Sequence, residues 1–250
     1  MPKKIAYKKR AFKKKAVPKG RARVRRTGPV AIPGTLAPQH MLVKLKYVNN
    51  FQKLLAAGGA IQSLNQYRLN SIYDPDYTNT LGTSVLGWAQ WKALYQRYRV
   101  FKMDYVIRLT NLTPDTAIAG ALVPANYVDT TYSRGDFMRP LARRFELGNN
   151  NGMNRSLLKG SIYLPKLTGI TGAQYKATRD TECGFDANPL MPLLMNILVQ
   201  STNVSGQIAV ACQVDFTYHV ELMGIGAGAE ALDHATGLPE VPVSAPSSPS

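Results

Sequence analysis

The side chains best suited to chemistry crowd the N-terminus. Lys3, Lys4, Lys8, Lys9, Arg10, Lys13, Lys14, Lys15, Lys19, Arg21, Arg23, Arg25 and Arg26 put thirteen of the chain's 31 Lys and Arg into its first 26 residues, and no acidic residue precedes Asp74. Most of the formal net charge of +16 therefore resides in this arm, and the rest of the chain is close to balanced. A segment so charged and so poor in large apolar residues cannot bury enough surface to offset its chain entropy, and alone it is expected to be disordered. Its positive charge requires a polyanion. On a phosphate backbone each contact releases condensed counterions, so affinity should fall steeply with salt. Tyr7 and Phe12 interleave the lysines, placed either to stack on unpaired bases or to dock the arm on the body. Ile5 and Phe12 are too few for the apolar face of a membrane-lying helix. Lys8-Lys9-Arg10 and Lys13-Lys14-Lys15 also fit a nuclear-import signal, a role compatible with nucleic-acid binding. The expected partners are nucleic acid and an import receptor, with no membrane.

Catalytic and metal-binding templates find little support. His40, His219 and His234 are far apart in the chain. His219 and Asp215 share a strand face four residues apart, too far for a direct bond without a bulge, and read as a surface or interface pair. Asp74, Asp76 and Asn79 begin like a calcium loop. The sixth position, which needs glycine, is Asn79, and the twelfth is Val85 instead of glutamate. Gly224-Ile225-Gly226-Ala227-Gly228 follows a strand but leaves no room for a dinucleotide-binding βαβ unit. Asn154-Arg155-Ser156 and Asn203-Val204-Ser205 match the glycosylation pattern without any sign of a secretory signal. Cys183 and Cys212 have no second cysteine at metal spacing and are too few for a disulfide framework. The expectation is a non-enzymatic protein with no cofactor, no metal and free thiols in a reducing compartment.

Four segments organise the chain: a basic arm (1–28), a Pro/Gly linker (29–40), a folded body (41–223) and a Gly/Ala/Pro/Ser-rich tail (224–250). No apolar run is long enough to span a membrane. Within the body, Val43, Leu45 and Tyr47 alternate with Lys44 and Lys46 as in a half-buried strand. Ser63–Ile72 is a second strand, followed by the turn Tyr73-Asp74-Pro75-Asp76. Trp88, Trp91, Leu94, Tyr95 and Tyr98 recur at spacings of three and four, which predicts a helix over 88–98. Arg99–Leu112 reads as a central strand with Phe101, Met103, Tyr105, Ile107 and Leu109 on one face. Ala117–Pro124 is small and apolar, a strand buried on both faces. Tyr132–Leu147 reads as a basic loop and Asn149–Gly152 as a turn. Arg155–Leu164 is a strand, Lys166–Asn188 a polar excursion with helical turns, and Met191–Ser201 and Gln207–Met223 the last two strands. In the latter Ile208, Val210, Cys212, Val214, Phe216, Tyr218, Val220 and Leu222 share a face. About eight strands without alternating helices argue against a parallel α/β sheet. The expected fold is all-β, a single eight-stranded antiparallel jelly-roll sandwich with a disordered basic N-terminal arm.

The arm, the strand Val43-Lys44-Leu45-Lys46-Tyr47-Val48, the segment Tyr67-Arg68-Leu69-Asn70-Ser71-Ile72-Tyr73-Asp74-Pro75-Asp76 and the Trp91…Tyr95…Tyr98…Val100 block resemble the coat proteins of small circular single-stranded DNA viruses. The resemblance spans residues 1–112; beyond Asn126 only the strand spacing is compatible. It implies a jelly roll that closes with copies of itself, about 60 of them, into a small icosahedral shell. The arm would face a single-stranded DNA genome, and the subunit would enter the host nucleus during assembly and end in the virion. Coats of small RNA and satellite viruses share the layout. A cellular nucleic-acid-binding β protein with a basic extension is a third reading, although such bodies usually carry charge on the sheet as well. The long connections Ser71–Gly87, Val128–Asn154 and Pro165–Pro189 and the Tyr-rich stretch Asn126–Tyr132 suit intersubunit contacts or, equally, caps on the sandwich. Arg139, Arg143 and Arg144 are placed either to meet phosphate or to form salt bridges on a solvated loop.

Overall fold

The computed structural model describes residues 38–56, 58–78, 83–113, 115–128, 131–149, 153–202 and 207–225. Alternation of apolar and polar side chains produces long strands wherever one face meets the core. They are β1 (His40–Leu55), β2 (Gln62–Arg68), β3 (Tyr95–Asn111), β4 (Ile118–Ala125), β5 (Arg143–Leu147), β6 (Arg155–Tyr163), the two-residue β7 (Cys183–Gly184), β8 (Leu194–Ser201) and β9 (Ile208–Ile225). Three short helices, α1 (Trp88–Leu94), α2 (Leu164–Thr168) and α3 (Gly172–Ala177), lie in the connections.

One sheet has the order β1-β9-β3-β6, with β7 added on β3, and the other has the order β2-β8-β4-β5; all pairings are antiparallel. The pairs nest: β1 with β9, β2 with β8, β3 with β6, and β4 with β5 innermost. This is one long hairpin rolled into a two-sheet sandwich, the jelly roll. Its all-β, antiparallel architecture is the one expected. The strand ends leave short connections (56–61, 112–117, 148–154, 202–207) at one end of the sandwich and long ones (69–87, 126–142, 164–193) at the other.

The two inner faces close over an aromatic centre. Tyr67 meets Phe216 edge-on with centroids 5.0 Å apart, and Phe216 lies 6.2 Å from Tyr47 in a stacked arrangement. Buried tyrosines reach a backbone partner with each hydroxyl: Tyr218 donates to the Arg68 carbonyl (2.8 Å), Tyr175 to Val100 (2.9 Å) and Tyr98 to Ala187 (3.1 Å). Such bonds remove the cost of burying a polar tip. Burial lifts all three phenols above their ordinary pKa. Gly120 is required by close approach: a Cβ there would run into the Phe145 ring and lie 2.6 Å from the Leu198 carbonyl.

β4 is buried along both faces, as its composition predicts, because Ala121, Val123 and Leu198 on the outer side are covered by Tyr132, Phe137 and Ala142. Other expectations need correction. The helix over 88–98 stops at Leu94, and Tyr95–Tyr98 open β3. Tyr95 and Tyr98 lie on opposite strand faces yet are both buried, since Tyr95 packs by Trp91 and bonds the Pro38 carbonyl while Tyr98 meets Phe185. Phe101 does not join Met103 and Tyr105 in the core. The register shifts between Val100 and Lys102, which turns Phe101 toward His219 with ring centroids 6.0 Å apart. The stretch 132–147 is not all loop: it contains a 3-10 turn, Arg134–Met138, and strand β5.

Where the body begins and ends, the chain is tied together. The Gly224 N–H donates to the Gln39 carbonyl (3.2 Å), Gly224 taking the positive φ of 68° that turns the backbone there.

Candidate nucleic-acid and assembly surfaces

The arm residues singled out for polyanion binding, Lys3 to Arg26 with Tyr7 and Phe12, lie outside the described residues, as do Asn79 and 226–250. The arm joins the body at Pro38, whose carbonyl accepts from the Tyr95 hydroxyl (3.0 Å).

Two groups stand out among the cations of the body. The first group is neutralised. Arg99 is buried where the 3-10 turn Arg179–Thr181 and β7 pack beside β3, and its guanidinium bridges Glu182 and Glu221, the latter at 3.3 Å. Arg97 adds a second contact to Glu182 (3.1 Å) and Lys176 one to Glu221 (3.7 Å). Arg68 pairs with Asp74, and Arg108 with Asp215. Arg139 pairs with buried Asp136 and lies over the Tyr127 ring, so its role is local structure. Arg143 donates to the Lys159 carbonyl (2.7 Å). Of the three arginines considered for phosphate, Arg139 is ion-paired, while Arg143 and Arg144 are exposed with no ion pair among the described residues.

The second group faces solvent from the outer side of the β1-β9-β3-β6 sheet. Lys44 and Lys46 on β1, and Arg155 and Lys159 on β6, are exposed and make no ion pair among the described residues. No polar residue facing outward between Lys102 and Thr110 on β3, or between Ala209 and Thr217 on β9, is buried, so no described residue covers this face. The other sheet contrasts with it, being roofed by segment 131–142.

His219 and Asp215, expected to be a surface pair and not a dyad, have separate partners: the His219 Nε2 lies 2.6 Å from Asp104, and Asp215 pairs with Arg108. Burial acts to raise the Asp104 pKa, but hydrogen bonds from Lys102, Ser161 and His219 outweigh it and hold the carboxyl well below the usual range. Asp76 accepts from Asn49 and Asn65, both at 3.1 Å, which ties β1 and β2 to the turn instead of building a calcium loop. Among the described residues no group of three His, Cys, Asp or Glu is gathered as for a metal, and no helix is long and apolar enough to cross a membrane. Cys183 and Cys212 are free and buried, and burial pushes the Cys212 thiol up to about 12.

In the long connections Leu86, Tyr127, Met138, Leu141, Leu190 and Met191 are exposed, and Leu42, Val48, Leu54, Leu157 and Tyr163 are exposed on β1 and β6. Tyr132, from the Tyr-rich stretch, instead caps the sandwich beside Gln66, the pair being hydrogen-bonded. Three features were beyond sequence reasoning: the Arg99 network, the open cationic sheet face and these exposed apolar side chains. Only the second left a trace, the Lys44/Lys46 alternation.

No protein-family model and no curated protein matches the chain. Among solved structures it is similar to a chain of Desmodium yellow mottle tymovirus (14% identity, 86% of this chain and 97% of that one, TM-score 0.40). It is also similar to a chain of Cocksfoot mottle virus (10%, 76% and 96%, TM-score 0.42) and one of rhinovirus-B5 (11%, 90% and 96%, TM-score 0.40). At such scores the assignment of the fold rests on the nested strand order itself.

Proposed function

We infer that the chain is the coat subunit of a small icosahedral virus, a structural and non-enzymatic protein that assembles with copies of itself and packages single-stranded DNA through its basic arm. The observation that carries the reading is the division of charge in the chain: thirteen cations in the arm precede a near-neutral jelly-roll body in which Arg68, Arg97, Arg99, Arg108 and Arg139 are ion-paired. Such an arm supplies sequence-blind affinity for a polyanion, while a sandwich with long connections and exposed apolar side chains supplies contacts between subunits. The choice of DNA rests on the resemblance of the segments at Val43–Val48, Tyr67–Asp76 and Trp91–Val100; the arm itself would serve an RNA genome equally well. Passage through the host nucleus follows from the same resemblance and from the Lys8–Arg10 and Lys13–Lys15 clusters, which an import receptor would read.

The test replaces the thirteen arm lysines and arginines with glutamine in the full-length chain and images the product by electron microscopy. Closed particles that have lost their nucleic acid are expected. Unchanged nucleic-acid content would remove the arm from packaging, and a wild-type chain that stays a lone subunit at every concentration and salt would remove the coat role.

A further inference from the structure

The uncovered sheet face has relief that its sequence explains. On β9, Ala211 stands between Gln52 on β1 and the short Thr110 on β3, with Gln213 and Arg108 one step along, so the surface dips into a trough of about 740 Å3 across the sheet. In register across it, Asn50 pairs with Gln213 and Gln213 with Arg108. One step along, Gln52 pairs with Ala211, and Arg155 closes the row on β6.

No acidic side chain lines the trough. Its amides offer donors and acceptors together, and its two guanidiniums offer donors only. Arg155 has no counter-ion among the described residues, and Asp215 holds Arg108 with donors to spare. Amides of this kind bond adenine edges in pairs, and guanidinium forks bond guanine edges or phosphate. Lys44, Lys46 and Lys159 around the same face carry free charge toward a phosphate chain. A duplex shows its base edges only to an element that enters a groove, which a shallow dip in a flat sheet cannot do. The complementary occupant is a single strand.

We propose that this trough is a binding site for unpaired nucleotides of single-stranded nucleic acid, where Asn50, Gln52 and Gln213 read base edges while Arg155 holds phosphate. It adds base preference to the sequence-blind affinity of the arm, and it rests on the reading of the chain as a single-strand-binding coat subunit.

The experiment measures fluorescence anisotropy of short labelled dA, dC and dT homopolymers with the full-length chain, at low salt and at salt high enough to screen the arm. At high salt the wild type is expected to prefer dA by on the order of tenfold, the discrimination of one good amide–adenine pair. Asn50→Ala and Gln213→Ala should flatten that preference, and Ala211→Phe, which fills the trough, should abolish it. At low salt, where the arm dominates, the three variants should lose a smaller fraction of their affinity than at high salt. Equal high-salt affinity for the homopolymers, or a preference that survives Ala211→Phe, overturns the site while leaving the arm's role standing. Absence of binding at low salt overturns the coat reading as well.

Discussion

Replacing Arg99 with methionine removes a buried cation and leaves two carboxylates behind. The Arg99 side chain is 4% exposed, and those of Glu182 and Glu221 are 17% and 14% exposed, so all three are largely out of water. Besides its two carboxylates the guanidinium donates Nε–H to the Thr181 hydroxyl at 3.0 Å. Truncating one partner of a buried pair costs about 3–5 kcal/mol, chiefly because the abandoned charge stays buried. Here Arg97 still reaches Glu182 and Lys176 still reaches Glu221, which places the loss near the lower end, about 3 kcal/mol. For a body of this size that corresponds to a fall in Tm of about 6–12 °C. The assay is urea unfolding of the protein followed by tryptophan fluorescence, with an unchanged m-value identifying a change in stability and not in compactness. The triple variant Arg99→Met, Glu182→Gln, Glu221→Gln should recover a large part of the loss, because it removes the orphaned charges along with their partner. A single-variant loss below about 1 kcal/mol, or a triple variant no better than the single one, would refute the argument.

Gly120→Ala should destabilise the subunit by about 1–3 kcal/mol by forcing apart Phe145 and the Leu198 backbone, read as a lower Tm. The stability that Asp104 contributes should be complete above the ordinary carboxylate pKa of about 4 and drain away as pH falls through its depressed folded value. Asp104→Asn should flatten that acid limb, and since the carboxylate is 39% exposed the effect stays within about 1 kcal/mol. Cys183 and Cys212 should resist thiol reagents at mildly alkaline pH in the folded subunit and react fully in urea, which absorbance on disulfide exchange would follow. If all thirteen arm cations engage phosphate, log affinity for single strands should fall with log salt at a slope of about −9, measured by titration of the full-length chain.

What could be seen in the sequence was whatever obeys a period. The alternation in β9 and the run of small apolar residues in β4 identified strands whose surroundings are uniform along their length. Tyr95 and Tyr98 misled because loops cover both faces of the start of β3, so aromatic residues three apart are buried without a helix. β5 was hidden because Arg143, Arg144 and Glu146 surround Phe145 and Leu147, and a short charged strand at a sheet edge looks like loop. Phe101 required knowledge of a register shift. The Arg99 network joins positions 99, 182 and 221, which only the rolled topology brings together. The trough was invisible for the same reason: Asn50, Gln213 and Arg155 sit on three strands whose adjacency no local pattern announces.

The bond between Gly224 and Gln39 makes the two ends of the body one anchorage. The chain therefore enters β1 and leaves β9 at one corner of the sandwich, and a graft placed directly at either position would start from the same point. Moving one of the two attachment points to the far end of the body would take a circular permutation, with the short connections there as the natural places to cut.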